Sequence, residues 1–277
     1  CLLPSEVVEF LKTTQPEKWD QLNSIYGSET ERRVLNRIST EVGKRGLLDV
    51  LRGGVIDRGV YLDLVYFPPK SSLNEEHSDL FSKNRLTVVR QLHYSTKNEN
   101  SLDTVLFLNG LPVITMELKN ALTGQTFRDA EKQYRNDRDP SEQLFRFKRC
   151  VVHFCVDNEQ VSMSTHLNGE STSFLPFNRG ITNPPVEDDY TSSYLWNDLL
   201  VPTNLLEVLE NYVHVSSQES FKYDKTTQKV ETKTSETLVF PRYHQLDLIR
   251  KLTTQIREDG VGTNYLIQHT TGAGKSY

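Results

Sequence analysis

The sequence has few cysteines and no spacing of residues that is typical of a metal-binding cysteine cluster. Only three of its 277 residues are cysteine, and two of these, Cys150 and Cys155, lie on opposite faces of one predicted strand. They cannot readily form a disulfide with each other. Free thiols of this kind indicate a reducing cytosol.

Long apolar runs and an excess of positive charge are also absent. No stretch approaches 18 uninterrupted apolar residues, which excludes a transmembrane helix and predicts no membrane partner. The first residues, Cys1–Phe10, do not form a secretory signal, and the missing initial Met suggests a trimmed beginning. A net charge of −5 argues against a protein that coats DNA, although a local basic groove would still permit a nuclease.

The sequence contains enough apolar residues for one large or two ordinary domains. One stretch gives the main indication of fold and function. Residues 101–120 are predicted to form two strands joined at Asn109-Gly110, because both residues tolerate positive φ. The first strand carries Asp103, and the second ends in Glu117 and Lys119.

Two registers are open for this hairpin. In a two-residue Asn109-Gly110 turn, Asp103 lies opposite Met116, and Glu117 occupies the other face. If Leu111 also belongs to the turn, Asp103 lies opposite Glu117, and the proline that follows suits a strand start. In this second register Asp103, Glu117 and Lys119 share a face. The other face is then fully apolar, with Leu106, Leu108, Ile114, Met116 and Leu118.

Two carboxylates and a lysine on one sheet face need an explanation, since unpaired charges are costly there. One explanation is a Mg²⁺ site at Asp103 and Glu117, with Lys119 orienting a water or offsetting charge on a phosphate. The alternative is an exposed strand end with a Glu–Lys pair. Asp103, fourteen positions before Glu117 and across the turn, favours the metal site.

The stretch DTVLFLNGLPVITMELKN resembles the nuclease motif of the restriction subunit of type I restriction–modification enzymes. That resemblance implies an α/β fold of the PD-(D/E)XK class, with a mixed central sheet flanked by helices in the order αβββαβ. It also implies that Asp103, Glu117 and Lys119 are catalytic, that the two carboxylates bind Mg²⁺, and that the substrate is double-stranded DNA.

The segments before the motif are predicted to be helices over 5–26, broken near Pro16, and over 29–43, followed by strands over 61–67 and 85–94. Ser28 and Glu31 have the spacing of a capping box. In the family a helix in this place can add a glutamate to the site, so Glu29 or Glu31 has either that role or a capping role.

The helix predicted over 126–137 carries part of a family signature, A-x-x-Q-x-x-x-Y. Ala130 and Gln133 match it, whereas Asp137 stands at the tyrosine position and a tyrosine stands at Tyr134. Gln133 either bridges this helix to the active-site loop or DNA, or is a solvated helix residue.

Residues 119–149 form the most basic stretch of the chain. Its cations either contact the DNA backbone or form a solvated face. We predict nucleic-acid binding by Lys132, Gln133 and Arg135. A buried strand over 150–157 contains His153, which we interpret as a core residue, and its hairpin partner covers 161–167. A helix over 194–213 follows, with a buried face formed by Leu205, Leu206, Leu209 and Val213.

The end of the sequence indicates the start of a helicase-like motor. A helix over 241–256 and a strand over 264–269 precede TTGAGKS, a phosphate-binding loop in which Lys275 reaches phosphates and Ser276 binds Mg²⁺. The predicted phosphate-binding residues are Thr271, Gly272, Gly274, Lys275 and Ser276. Gln245, in the upstream sequence YHQ, resembles the glutamine that superfamily 2 helicase motors place against adenine, which implies that it also contacts ATP.

We therefore predict an endonuclease domain over 1–214, a linker over 215–238 and the truncated start of a helicase domain over 239–277. The implied function is a type I site-specific deoxyribonuclease subunit, working with methyltransferase and specificity subunits and with ATP in the full-length protein. A chain of this length is not expected to hydrolyse ATP. The alternatives are a helicase-linked repair or defence nuclease, and a nuclease-like domain that only docks DNA.

Overall fold

The computed structural model describes residues 2–71, 73–224, 229–260 and 262–268. They belong to two compact units, Cys1–Pro241 and a second unit that begins at Arg242. The α-helices are α1 (Pro4–Thr14), α2 (Pro16–Tyr26), α3 (Thr30–Arg45), α4 (Leu47–Gly53), α5 (Glu75–Ser82), α6 (Phe127–Asn136), α7 (Pro202–Asn211) and α8 (Tyr243–Asp259). The strands are β1 (Val55–Asp57), β2 (Val60–Leu62), β3 (Leu86–His93), β4 (Ser101–Leu108), β5 (Leu111–Leu118), β6 (Val152–Val156), β7 (Val161–Ser164), β8 (Leu175–Pro176), β9 (His214–Asp224) and β10 (Lys229–Val239).

A six-stranded mixed sheet lies at the centre of the first unit, in the order β3-β4-β5-β6-β7-β8. Strands β3, β4 and β5 form an antiparallel meander. The chain then passes through α6 and returns as β6, which is parallel to β5, because a parallel neighbour requires a crossover connection. The predicted mixed α/β architecture with a mixed central sheet is confirmed.

The β4–β5 hairpin combines features of both predicted registers. Asn109 and Gly110 form a two-residue turn with positive φ, and Leu108 pairs with Leu111, so the prediction that Leu111 belongs to the turn is wrong. The register then shifts: Phe107 pairs with Pro112, but Leu106 pairs with Ile114. The extra residue is Val113, a buried β-bulge whose carbonyl accepts a hydrogen bond from Val151 N at 2.8 Å.

On the side of the bulge away from the turn, β4 and β5 pair in the register that was predicted for a turn including Leu111. Thr104 pairs with Met116, and the continuing register places Asp103 opposite Glu117. The predicted juxtaposition of the two carboxylates is thus confirmed, although its cause is a bulge. The predicted apolar face is buried as expected except at Leu118, which is 45% exposed.

Helix α6 packs against the sheet through Ala130 and Tyr134, which are fully buried with Leu102, Val105 and Phe107. Its start is fixed by a capping box between Thr126 and Asp129. The spacing of 3.6 residues per turn places Gln133 close to the inward-facing side of the same helix. This helix therefore presents one polar side chain towards the end of β5.

The N-terminal helices break at Pro16 as predicted, but the capping box predicted for α3 is wrong. A 3₁₀ turn over Gly27–Glu29 makes Glu29 the N-cap residue, and no side chain caps the helix. The turn displaces Ser28 from the N-cap position. Instead, Thr30 Oγ1 donates a hydrogen bond to Gly27 O at 2.7 Å.

Two further predictions are correct only in part. The strand predicted over 61–67 ends at Leu62, within a short hairpin with β1. The helix predicted over 194–213 is divided into a π-helical turn, Leu195–Leu199, and α7, because Pro202 begins a new helix. The predicted buried face is confirmed at Leu205, Leu206, Leu209 and Val213.

The segment predicted to be a linker is instead an antiparallel hairpin. Strands β9 and β10 pair along their whole length, from His214 with Val239 to Asp224 with Lys229, and they belong to the first unit. The polar composition of this segment suggested a linker, although its Thr, Val and aromatic residues favour strands.

The second unit contains α8, which confirms the helix predicted over 241–256. Residues 264–268 are not a strand, contrary to the prediction, and within the described ranges no strand pairs with them. The predicted phosphate-binding residues Thr271, Gly272, Gly274, Lys275 and Ser276 lie outside the described residues.

Candidate active site

The three predicted catalytic residues lie together where β5 ends beside the start of β4. Asp103 Oδ2 accepts a hydrogen bond from Leu118 N at 2.9 Å and lies 4.0 Å from Lys119 Nζ. Glu117 is directly across the ladder from Asp103. The bulge and the period-two alternation of the strands together bring these side chains to one place.

Glu117 is fully buried, and its two carboxylate oxygens differ. Oε1 accepts a hydrogen bond from Arg138 Nε at 2.8 Å and lies 2.7 Å from Arg138 Nη2 in an ion pair. Oε2 is buried and accepts no hydrogen bond from the residues that the structure describes. The pKa of Glu117 is raised to about 7, chiefly by burial and also by the adjacent Asp103, while Arg138 lowers it.

Lys119 is held by α6. Its Nζ donates a hydrogen bond to Gln133 Oε1 at 2.6 Å, and its side chain is only 12% exposed. A long lysine side chain has many rotamers, so this contact restricts the ammonium to the neighbourhood of Asp103. Gln133 therefore connects α6 to the candidate catalytic lysine and is not simply a solvated helix residue.

Two residues not predicted from the sequence complete the site. Arg138, just after α6, binds Glu117, and Gln91 Nε2 on β3 donates a hydrogen bond to Asp103 Oδ1 at 3.0 Å. Gln91 has a φ of +49°, which is uncommon for a residue with a side chain. The antiparallel meander of β3 and β4 could have predicted that Gln91 lies beside Asp103. Arg138 could not be singled out in the same way, because it lies in a stretch with many other basic residues.

The carboxylates fit a hard divalent cation. No group of three or more His, Cys, Asp or Glu side chains suited to a metal occurs in the part of the chain that the structure describes. A pair of carboxylates suits Mg²⁺, which keeps several waters and accepts phosphate oxygens as further ligands. The buried Oε2 of Glu117, without a donor and beside the Asp103 carboxylate, is an acceptor that a cation would satisfy.

The other predicted DNA-binding residues contact the protein itself. Lys132 Nζ lies 3.2 Å from Asp129 Oδ1 on the surface. Arg135 donates to Thr172 O at 3.1 Å and lies 4.9 Å from the centre of the Phe174 ring. Their binding to nucleic acid remains a prediction.

Three further side chains have structural positions. His153 is buried and hydrogen-bonded to Thr115 Oγ1, which confirms its interpretation as a core residue. Tyr134, the displaced tyrosine, is also hydrogen-bonded to Thr115, at 2.7 Å. Gln245 Oε1 accepts a hydrogen bond from Arg242 N at 2.9 Å in the first turn of α8.

Glu29 and Glu31 both pair with basic side chains on the helices. Glu29 contacts Arg32 and Arg33, and Glu31 Oε1 lies 2.8 Å from Lys12 Nζ. Neither glutamate has a described contact with Asp103, Glu117 or Lys119.

The central part of the chain is similar to a known protein family. Residues 61–172 match the family described as the N terminus of the type I restriction enzyme R protein. The matched range contains Asp103, Glu117 and Lys119. This part of the chain is similar to that family.

One relative is similar over most of the chain, beyond the range that the family model matches. The chain is 21% identical over 259 residues to the putative type I restriction enzyme MjaVIIIP endonuclease subunit of Methanocaldococcus jannaschii. The alignment covers 91% of this chain but 23% of that protein, so the chain spans about a quarter of the relative's length. No helix among the described residues is both long and apolar enough to cross a membrane.

Proposed function

We propose that this chain is the Mg²⁺-dependent DNA endonuclease module of an ATP-dependent type I restriction enzyme. The observation that carries the proposal is the buried Glu117 Oε2, which has no donor among the described residues and lies beside Asp103, the carboxylate that is 4.0 Å from Lys119 Nζ. The similarity of residues 61–172 to the N terminus of the type I restriction enzyme R protein supports the same function.

The chain's own residues would divide the work of phosphodiester hydrolysis. Asp103 and Glu117 would hold Mg²⁺, which when bound supplies a Lewis acid and lowers the pKa of water. Lys119, held by Gln133, would orient the attacking water and offset the charge that develops on the phosphate. The buried position of Glu117 strengthens each of these electrostatic contacts.

In the full-length protein this module would cleave unmodified double-stranded DNA after translocation by an ATP-driven motor. Its partners would be the methyltransferase and specificity subunits, in the cytoplasm of a bacterium or archaeon. The TTGAGKS sequence supports ATP binding by the same polypeptide.

The test is alanine substitution in the full-length R subunit, assembled with its partner subunits. Asp103→Ala, Glu117→Ala and Lys119→Ala should each lower DNA cleavage by at least about 100-fold, since each removes a metal ligand or a charge at the reacting phosphate. ATP hydrolysis should continue. Asp20→Ala, at an exposed position on α2, is the matched control and should cut normally.

Normal cutting by the three variants would refute the assignment. Loss of ATP hydrolysis together with cleavage would indicate a damaged complex rather than a missing catalytic group. Cutting without methyltransferase and specificity subunits would instead favour a helicase-linked nuclease outside restriction–modification.

A further inference from the structure

Arg138 is a buried arginine that connects the two strands of the candidate active site. Its side chain is 5% exposed. Nη2 donates to Ser101 O, two residues before Asp103 on β4, at 2.9 Å. Nε donates to Glu117 Oε1 on β5 at 2.8 Å, and Nη2 lies 2.7 Å from the same oxygen. The guanidinium also lies 5.7 Å from the centre of the Tyr94 ring, which limits its movement.

The contact with Glu117 is not the usual arginine–carboxylate pair. A guanidinium and a carboxylate commonly form two parallel hydrogen bonds, one to each oxygen. Here Nε donates to Oε1, Nη2 is in ion-pair contact with the same oxygen, and Oε2 is left buried without a donor among the described residues. An unsatisfied buried acceptor is costly, so an ion pair serving stability alone would be expected to use both oxygens.

We propose that Arg138 is a positioning residue that fixes Glu117 through Oε1 and thereby keeps Oε2 available for a divalent cation shared with Asp103. The inference rests on the proposed nuclease function and extends it to a residue outside the catalytic trio. Arg138 acts through Glu117 and does not itself contact the metal. Its hydrogen bond to Ser101 O holds the neighbouring strand in the same arrangement.

The test is divalent-cation binding to the 277-residue chain in the absence of DNA. Mn²⁺ is titrated by calorimetry and by paramagnetic resonance, and thermal unfolding is measured on the same samples. Arg138→Met keeps most of the side-chain volume but removes the charge and the donors. Arg138→Lys keeps the charge but cannot form the fork. Arg149→Met is the matched control, since Arg149 is half-buried and donates to Ser39 O, away from the carboxylates.

We expect the Kd for Mn²⁺ to rise about 10- to 100-fold in Arg138→Met and less in Arg138→Lys, as for other residues that orient metal ligands. Arg149→Met should bind Mn²⁺ like the wild type. Should Arg138→Met fail to fold, the Kd of Arg138→Lys decides the question.

Two results would overturn the inference while leaving the nuclease proposal intact. An unchanged Kd with a lower melting temperature would make Arg138 a structural residue only. Tighter binding in the variants would show that Arg138 competes with the metal. Absence of Mn²⁺ binding in the wild type, equal to that of Asp103→Ala, would overturn both proposals.

Discussion

At the scale of single residues, Gln91 combines a costly backbone conformation with a contact to the site. A left-handed conformation at a residue with a side chain costs about 1–3 kcal/mol, and such residues cluster at functional sites. Gln91 Nε2 donates to Asp103 Oδ1, and Gln91 Oε1 accepts a hydrogen bond from Ser101 Oγ at 2.9 Å. These two bonds hold the strained residue beside Asp103.

Gln91→Gly should therefore separate stability from metal binding. Glycine adopts positive φ without strain, and this relief offsets its greater freedom in the unfolded chain, so the unfolding free energy should stay within about 1 kcal/mol of the wild type. The Kd for Mn²⁺ should rise because Asp103 loses a donor.

Calorimetric titration and denaturant unfolding measure these two quantities. Arg58→Gly is the matched control, since Arg58 has a φ of +50° in the β1–β2 turn. Equal Kd values for Gln91→Gly and Arg58→Gly would show that Gln91 has no influence on the carboxylates.

The residues of the site were predictable from the sequence to different degrees. Asp103, Glu117 and Lys119 follow a strand pattern that can be recognised locally, and the structure brings them together. Arg138 contacts Glu117 from 21 positions away, and nothing in its neighbourhood distinguishes it from the surrounding cations. A contact of this kind depends on where the end of α6 meets the sheet, which the pattern of residues does not specify.

At the scale of elements, the β4–β5 turn packs closely against the start of α1. Gly110 has a φ of +79°, and a Cβ there would lie 2.7 Å from Leu3 O and 2.9 Å from Val7 N. Leu3 N also donates to Gly110 O at 2.9 Å. The turn thus positions α1 as well as the hairpin.

Gly110→Ala should lower the unfolding free energy by more than about 2 kcal/mol, because conformational strain and a backbone clash add together. Gly124→Ala is the matched control, with a φ of +74° and no atom within 4 Å of its Cβ, and should lose only about 1 kcal/mol. Denaturant unfolding of both variants measures the difference. Equal losses of unfolding free energy in the two variants would mean that α1 can shift away from the added methyl group without loss of stability.

At the scale of the whole molecule, a buried polar network crosses the core between the sheet and α6. Thr115 Oγ1 is hydrogen-bonded to both Tyr134 and His153, and all three residues are buried. The pKa of His153 is lowered to about 3, chiefly by burial and to a lesser extent by the nearby His166. The network therefore requires a neutral imidazole.

Stability should depend on pH through His153. Between its unfolded pKa near 6.5 and its folded pKa near 3, the unfolded chain binds a proton that the folded chain does not, so stability falls as pH falls. The wild type should lose up to about 1.4 kcal/mol per pH unit more than His153→Gln in this window. Denaturant unfolding from pH 7 to pH 4 would measure this, and parallel curves would contradict it.

The sequence predicted the mixed sheet and most helices, since these rest on local periodicity and on punctuation by proline and glycine. The predictions were wrong where the pairing of one strand with another determines the structure. The polar residues of β9 and β10 become strands because they pair with each other along eleven positions. Residues 264–268, by contrast, have strand-like side chains but lack a described partner strand.

The Val113 bulge has a consequence for how this hairpin can change in length. Across a two-residue turn without a bulge, opposite residues are separated by an odd number of positions, as Leu108 and Leu111 are. Asp103 and Glu117 are separated by an even number, fourteen, and can face each other only because one strand carries an odd extra residue. Insertions or deletions between them must therefore come in pairs, since a single one would turn one carboxylate to the opposite side of the sheet.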